Sequence, residues 1–169
     1  MSKTKLIIAG QGHANDLVII TDKTKLAESR LYEAQHVNAG TYSELEYTFN
    51  EAYRELKNMI SNIQYEMTKA EKNINERKAD LILDTIPKML EGQPKTANNA
   101  DFRNAIFARD EEYQTFLEYL NKLKALESHF SGKIDVMTNT CRYMKKQMDL
   151  IIKAGYIPPV RNTGEKLWK

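Results

Sequence analysis

The sequence predicts an all-α protein built on a long antiparallel helical hairpin, and three observations predict it. From Asp101 to Ala154 there is no proline and one glycine, Gly132. Within that stretch Leu120, Leu123, Leu126, Phe130, Ile134, Met137, Cys141, Met144, Met148 and Ile151 recur at steps of three and four, a helical stripe with near-heptad spacing. A second stripe of the same period lies upstream: Leu45, Phe49, Leu56, Ile60, Ile63, Met67, Ala70, Ile74 and Leu81. Between the two, Gly92-Gln93-Pro94-Lys95-Thr96-Ala97-Asn98 is the clearest break in the chain. At ~1.5 Å per residue the downstream helix would be on the order of 80 Å long, too long for a small globule without a partner of similar length. A short loop between two such helices makes them antiparallel neighbours.

Each element follows in order. Leu6–Ala9 and Leu17–Thr21 are short and rich in β-branched residues, and Gly10–Asp16 between them is turn chemistry. Residues 1–21 therefore read as a small β-hairpin or a loose arm. Gly10-Gln11-Gly12 lacks the third glycine or the Lys-Ser/Thr of a phosphate-cradling loop. A helical domain is expected over 22–155. Asp22 can cap a first helix running to about Asn38, with Leu26, Leu31, Ala34 and Val37 as its apolar face and Gly40 ending it. Thr41 and Glu44 have capping-box spacing and open a second helix over about 41–91. Ala52 or Tyr53 fills the one wide gap in its stripe, and Pro87 kinks its last turn. Asn98 or Asn99 caps a third helix, about 99–154, which Gly155, Pro158 and Pro159 stop. Residues 156–169 read as an irregular basic tail.

Composition narrows the function classes. The chain has 169 residues, enough for one domain, with 41% hydrophobic and 28% charged residues and a net charge of +2. Any anion-binding patch must therefore be local. One cysteine, Cys141, lies on the apolar stripe and excludes an intrachain disulfide. No apolar run approaches the ~20 residues that span a bilayer, and no signal peptide opens the chain, so a cytosolic protein without membrane contact is expected. Catalysis is poorly supported. His13, His36 and His129 are scattered, and no nucleophile–base pattern, Walker loop or CxxC occurs. Glu33 and His36 match one half of a di-iron Glu-x-x-His site that has no second copy. The chain is read as a non-enzyme with no cofactor and no metal.

Charge is segregated. From Thr41 to Glu66, Glu44, Glu46, Glu51, Glu55 and Glu66 face two bases, Arg54 and Lys57. From Lys133 onward, Lys133, Arg142, Lys145, Lys146, Lys153, Arg161, Lys166 and Lys169 face three acids, Asp135, Asp149 and Glu165. In an antiparallel hairpin these segments are neighbours, and much of their charge is expected to pair internally. A second basic group, Lys69, Lys72, Arg77 and Lys78, falls late in the second helix, with Tyr65 and Phe102 near the same end of the hairpin. Repeated around an oligomer, it would form a groove that can follow a phosphate backbone. Phe116, Leu117, Tyr119, Leu150 and Ile152 are apolar positions beside the third helix's main stripe. They imply a second buried face, filled by self-association or by the first helix and the arm.

The ordered features also resemble a family. Asp16-Leu17-Val18-Ile19-Ile20 precedes Asp22-Lys23-Thr24-Lys25-Leu26, then Tyr32-Glu33-Ala34 and Asn38. A long charged helix with Arg77-Lys78-Ala79-Asp80-Leu81 follows, and after the break an amphipathic helix ends in Tyr143-Met144-Lys145-Lys146-Gln147-Met148-Asp149. Over roughly residues 16–152 the chain resembles the UvsY-type recombination mediators of tailed bacteriophages. The resemblance implies a non-enzymatic homo-oligomer that binds single-stranded DNA, displaces a single-strand binding protein and loads a RecA-like recombinase in the cytoplasm of a host cell. It places the family's DNA-contacting Lys/Arg pair nearest Arg77 and Lys78; Lys69 and Lys72 join them on charge alone. It places assembly on Ile134, Met137, Cys141, Met144, Met148 and Ile151. The Leu6–Ile8 segment and the basic tail through Trp168 depart from the family's pattern. The rival from another class is a coiled-coil structural or adaptor protein, with the same heptads and no exposed basic groove.

Overall fold

Near-heptad stripes on two long segments require two long helices with one mutual seam, and the architecture follows from that seam. The structure, a computed structural model, describes residues 5–8, 17–92 and 99–155. The expected turn at Gly10–Asp16, the loop from Gln93 to Asn98 and the tail from Tyr156 lie outside the described residues. The element order is β1 (Lys5–Ile8), β2 (Leu17–Ile20), α1 (Asp22–Ser29), α2 (Leu31–Gln35), α3 (Tyr42–Asp80), a π-helical turn (Leu81–Thr85), α4 (Ile86–Met89), α5 (Ala100–Arg109) and α6 (Glu111–Gly155). The all-α class is as expected.

The seam joins α3 to α6. Leu45, Phe49, Ala52, Leu56, Met59, Ile63 and Ala70 of α3 are buried with Leu120, Leu123, Phe130, Met137 and Met144 of α6. Each such large side chain stabilises the fold by roughly 1.5–3 kcal/mol on burial. The wide gap in the α3 stripe is filled by Ala52, while Tyr53 stays exposed. β1 and β2 pair antiparallel, with Leu6 opposite Ile19 and Ile8 opposite Leu17, so the arm is a hairpin. Leu17 and Ile19 sit in the same core as Ala27 of α1, Ala34 of α2 and Val37 just beyond it. Of the further apolar positions on α6, Tyr119 packs against this core and Phe116 and Leu117 are half-buried, whereas Leu150 and Ile152 stay exposed.

Three expected boundaries are corrected. The first helix breaks at Arg30 into α1 and α2 and ends at His36, short of Asn38. The Thr41–Glu44 capping box does not form, because both side chains have other partners. Arg30 Nη1 donates to Glu44 Oε1 at 2.6 Å, and Thr41 Oγ1 accepts from Asn38 N–H at 3.2 Å. The third helix breaks at Asp110, whose backbone is extended (ψ 112°). Asp110 ends α5 by donating its N–H to Ile106 and starts α6 by accepting from Tyr113 N–H at 2.8 Å. Asn99 caps α5 by accepting from Phe102 N–H, one of the two alternatives expected. Pro87, lacking an N–H, follows the π-helical turn, in which Ile86 N–H reaches back five residues to Leu81.

The far end of the hairpin has its own small core. Leu81 and Ile86 pack on Ile106 and Phe107 of α5, with Leu90, Phe102 and Tyr113 around them. The Phe107 and Tyr113 rings stack at 5.4 Å.

Candidate nucleic-acid interface

The four bases singled out from the sequence do not share one face. At 100° per residue, Lys69 and Lys72 point away from the seam, while Arg77 and Lys78 lie on its two flanks. Their partners differ accordingly. Arg77 is clamped across the hairpin: its Nε donates to Asp110 Oδ1 at 3.0 Å, its Nη2 to Oδ2 at 2.6 Å, and its Nη1 lies 3.1 Å from Glu112 Oε2. The clamp keeps the Asp110 carboxyl below its usual range, mainly through the Arg77 hydrogen bond, and raises the guanidinium further. The Asp110 side chain is only 14% exposed. Lys78 Nζ sits 5.5 Å from the centre of the Phe107 ring. Arg77 and Lys78 therefore hold the hairpin tip together in this chain, and Phe102, half-buried in that tip, is not an exposed stacking ring.

Lys69 and Lys72 are placed differently. Lys69 pairs with Glu66 at 2.8 Å and also lies 4.3 Å over the exposed ring of Tyr65. Lys72 pairs loosely with Glu76 at 3.5 Å, both side chains mostly in solvent. Exposed helical pairs of this kind contribute little, about 0–1 kcal/mol, and exchange readily for another anion. Half-buried, bidentate Arg77 does not. Seven residues, about two turns, separate Tyr65 from Lys72. Tyr47 and Arg54 stand in the same relation, and 18 residues, or five turns, separate the two tyrosines. Tyr47, Arg54, Tyr65, Lys69 and Lys72 thus line one exposed face of α3 over roughly 38 Å. Tyr47 and Arg54 had no signal in charge counting, because Glu51 neutralises Arg54 at 2.7 Å. Helical phase would have revealed them.

The residues assigned to assembly have another use. Met137 and Met144 are buried in the seam, and Ile134, Cys141 and Met148 pack against it. Burial accordingly pushes the Cys141 thiol up. Of the six, Ile151 remains exposed. The stripe is an intrachain seam, so five of the six are not a free surface for a second copy.

Among the described residues, no ion pair joins the acidic stretch of α3 to the basic stretch of α6. Glu44 is held by Arg30, Glu46 accepts from the Tyr42 hydroxyl, Glu51 is shared by Lys23 and Arg54, and Glu66 is held by Lys69. Glu55 accepts from Thr24 N–H and Thr24 Oγ1, both at 2.8 Å, and from Lys23 N–H at 3.2 Å, and so caps α1 from the neighbouring helix. On the basic side Lys133 pairs with Glu28 of α1.

Glu33 of the Glu-x-x-His step is held by Arg30, and among the described residues no group of three His, Cys, Asp or Glu is gathered as a metal site requires. Among them, too, no helix is long and apolar enough to cross a membrane. Comparison with known proteins finds no family model, no curated protein and no solved structure that matches the chain.

Proposed function

We propose that this chain is a non-enzymatic single-stranded-DNA-binding protein that acts as a recombination mediator, helping a RecA-like recombinase replace a single-strand binding protein. The observation that carries the binding half is the exposed α3 face, where Lys69 lies over the Tyr65 ring and Lys72 stands two turns beyond Tyr65. Rings that accept stacked bases beside cations that accept phosphates are what sequence-tolerant single-strand binding requires. The mediator half rests on the sequence resemblance over residues 16–152. A coiled-coil adaptor without DNA binding is the second reading. It is favoured by the intrachain partner that each of Lys69, Lys72, Arg77 and Lys78 possesses.

The test is fluorescence anisotropy with a labelled oligo-dT strand across a salt series, on protein sized by light scattering. Binding should weaken steeply with salt. In Lys69→Gln/Lys72→Gln the slope of log K against log salt should fall by about 1.4, about 0.7 for each lost contact to a single strand. An unaltered slope would remove the α3 face from the interface, and a chain that ignores the strand at low salt would leave the adaptor reading.

A further inference from the structure

Sequence spacing places Arg142, Lys145 and Lys146 within five residues of α6, with Lys153 two turns beyond. Helical phase gathers all four within an arc of about 100° on α6, turned away from the seam side that holds Met137, Cys141, Met144 and Met148, with Lys145 at the edge nearer the seam. All four are exposed. Among the described residues none of them makes an ion pair. Asp149 is the one acid on that arc, and it pairs with none of them. The acids that antiparallel packing brings alongside are engaged elsewhere, by Lys23, Thr24, Arg30, Tyr42, Arg54 and Lys69.

This arrangement costs the helix stability. Arg142 is three and four residues from Lys145 and Lys146, the spacing at which like charges repel. The helix macrodipole favours cations only within the last turn, which includes Lys153 and excludes the other three. Among the described residues nothing in the packing uses the stripe. We infer that the outer face of α6, formed by Arg142, Lys145, Lys146 and Lys153, is a second phosphate-binding face for single-stranded nucleic acid, separate from the Tyr65–Lys72 face of α3. Bare cations release counterions without first breaking an internal pair, so contact for contact this face favours a polyanion more than α3 does. A lipid surface suits it less well. The exposed Leu150, Ile151 and Ile152 are consecutive and point 100° apart around the helix, so they do not form the apolar face an interfacial helix needs.

The inference rests on the single-strand-binding reading and is tested in the same salt series with the full chain. The variant is Arg142→Gln/Lys145→Gln/Lys146→Gln/Lys153→Gln. Its control has the same loss of charge at exposed bases elsewhere: Lys88→Gln/Arg103→Gln/Lys122→Gln/Lys124→Gln. Circular dichroism verifies that both remain helical, and Lys145→Gln/Lys146→Gln serves if the fourfold variant does not fold. The slope of log K for oligo-dT should fall by about 2–3 in the fourfold α6 variant, or about 1.4 in the twofold one, and by less than about 1 in the control. Equal falls in variant and control would mean net charge alone and overturn the site. An unchanged slope in a wild type that binds would overturn this inference and leave the α3 reading. No binding by the wild type would remove both. Loss of binding to phosphatidylserine vesicles with DNA binding intact would assign the stripe to membranes instead.

Discussion

Asp110 performs two tasks with one carboxylate, and substituting it separates them. Its Oδ1 accepts from Tyr113 N–H at the start of α6, while both oxygens accept from Arg77, 33 residues upstream. Asparagine is a good N-cap, so Asp110→Asn retains the helix start and loses the charge-assisted bonds, worth about 1.5–3 kcal/mol. Asp110→Ala loses the cap as well, for a total of about 2.5–4 kcal/mol. For a chain of this size that lowers Tm by about 5–15 °C. The sign with pH is fixed by the depressed carboxyl. Its stabilisation is fully present above the unfolded value of about 3.9 and is lost as pH falls through the lower folded value. Urea unfolding of wild type, Asp110→Asn, Asp110→Ala, Arg77→Gln and the Asn/Gln double variant measures this at pH 7 and down to pH 3. The wild type should lose more stability on acidification than Asp110→Asn, and the cycle should show coupling of at least ~1 kcal/mol. Coupling below about 0.3 kcal/mol with an unaltered Asn variant would refute the clamp. It would also return Arg77 to the pool of bases available to DNA.

Two further outcomes follow from the same contacts. Glu55→Ala should destabilise the chain by about 1–3 kcal/mol, because the fully buried Thr24 hydroxyl and two N–H groups of α1 lose their acceptor; hydrogen exchange should show the loss in α1 first. Met144→Glu should unfold or severely destabilise the single chain, since Met144 is fully buried in the seam. A folded Met144→Glu with altered elution volume would instead place this residue between copies.

The period of the apolar residues by itself determined the two long helices, their antiparallel order and most of their seam, because burying a stripe on one face is a local geometric demand. Even Ala52 over Tyr53 was within reach. The helix break at Asp110 was legible too: an Asp followed by Glu111 and Glu112 is an N-cap signal, obscured by the unbroken run of helix formers around it. Charge behaved otherwise. The sequence placed five acids and a basic segment on neighbouring helices, and a count of signs paired them. Which acid meets which base depends on angles around each helix and on what α1 and α2 bring to the surface. Only the tertiary structure decided that Glu44, Glu51 and Glu55 turn to the first helices, that Arg77 closes the hairpin tip, and that Arg142, Lys145, Lys146 and Lys153 are left facing solvent. The physical reason is one of range. Burial pattern repeats along the chain and can be read there, whereas a salt bridge needs two atoms within 4 Å, a distance that no linear spacing specifies across a hairpin.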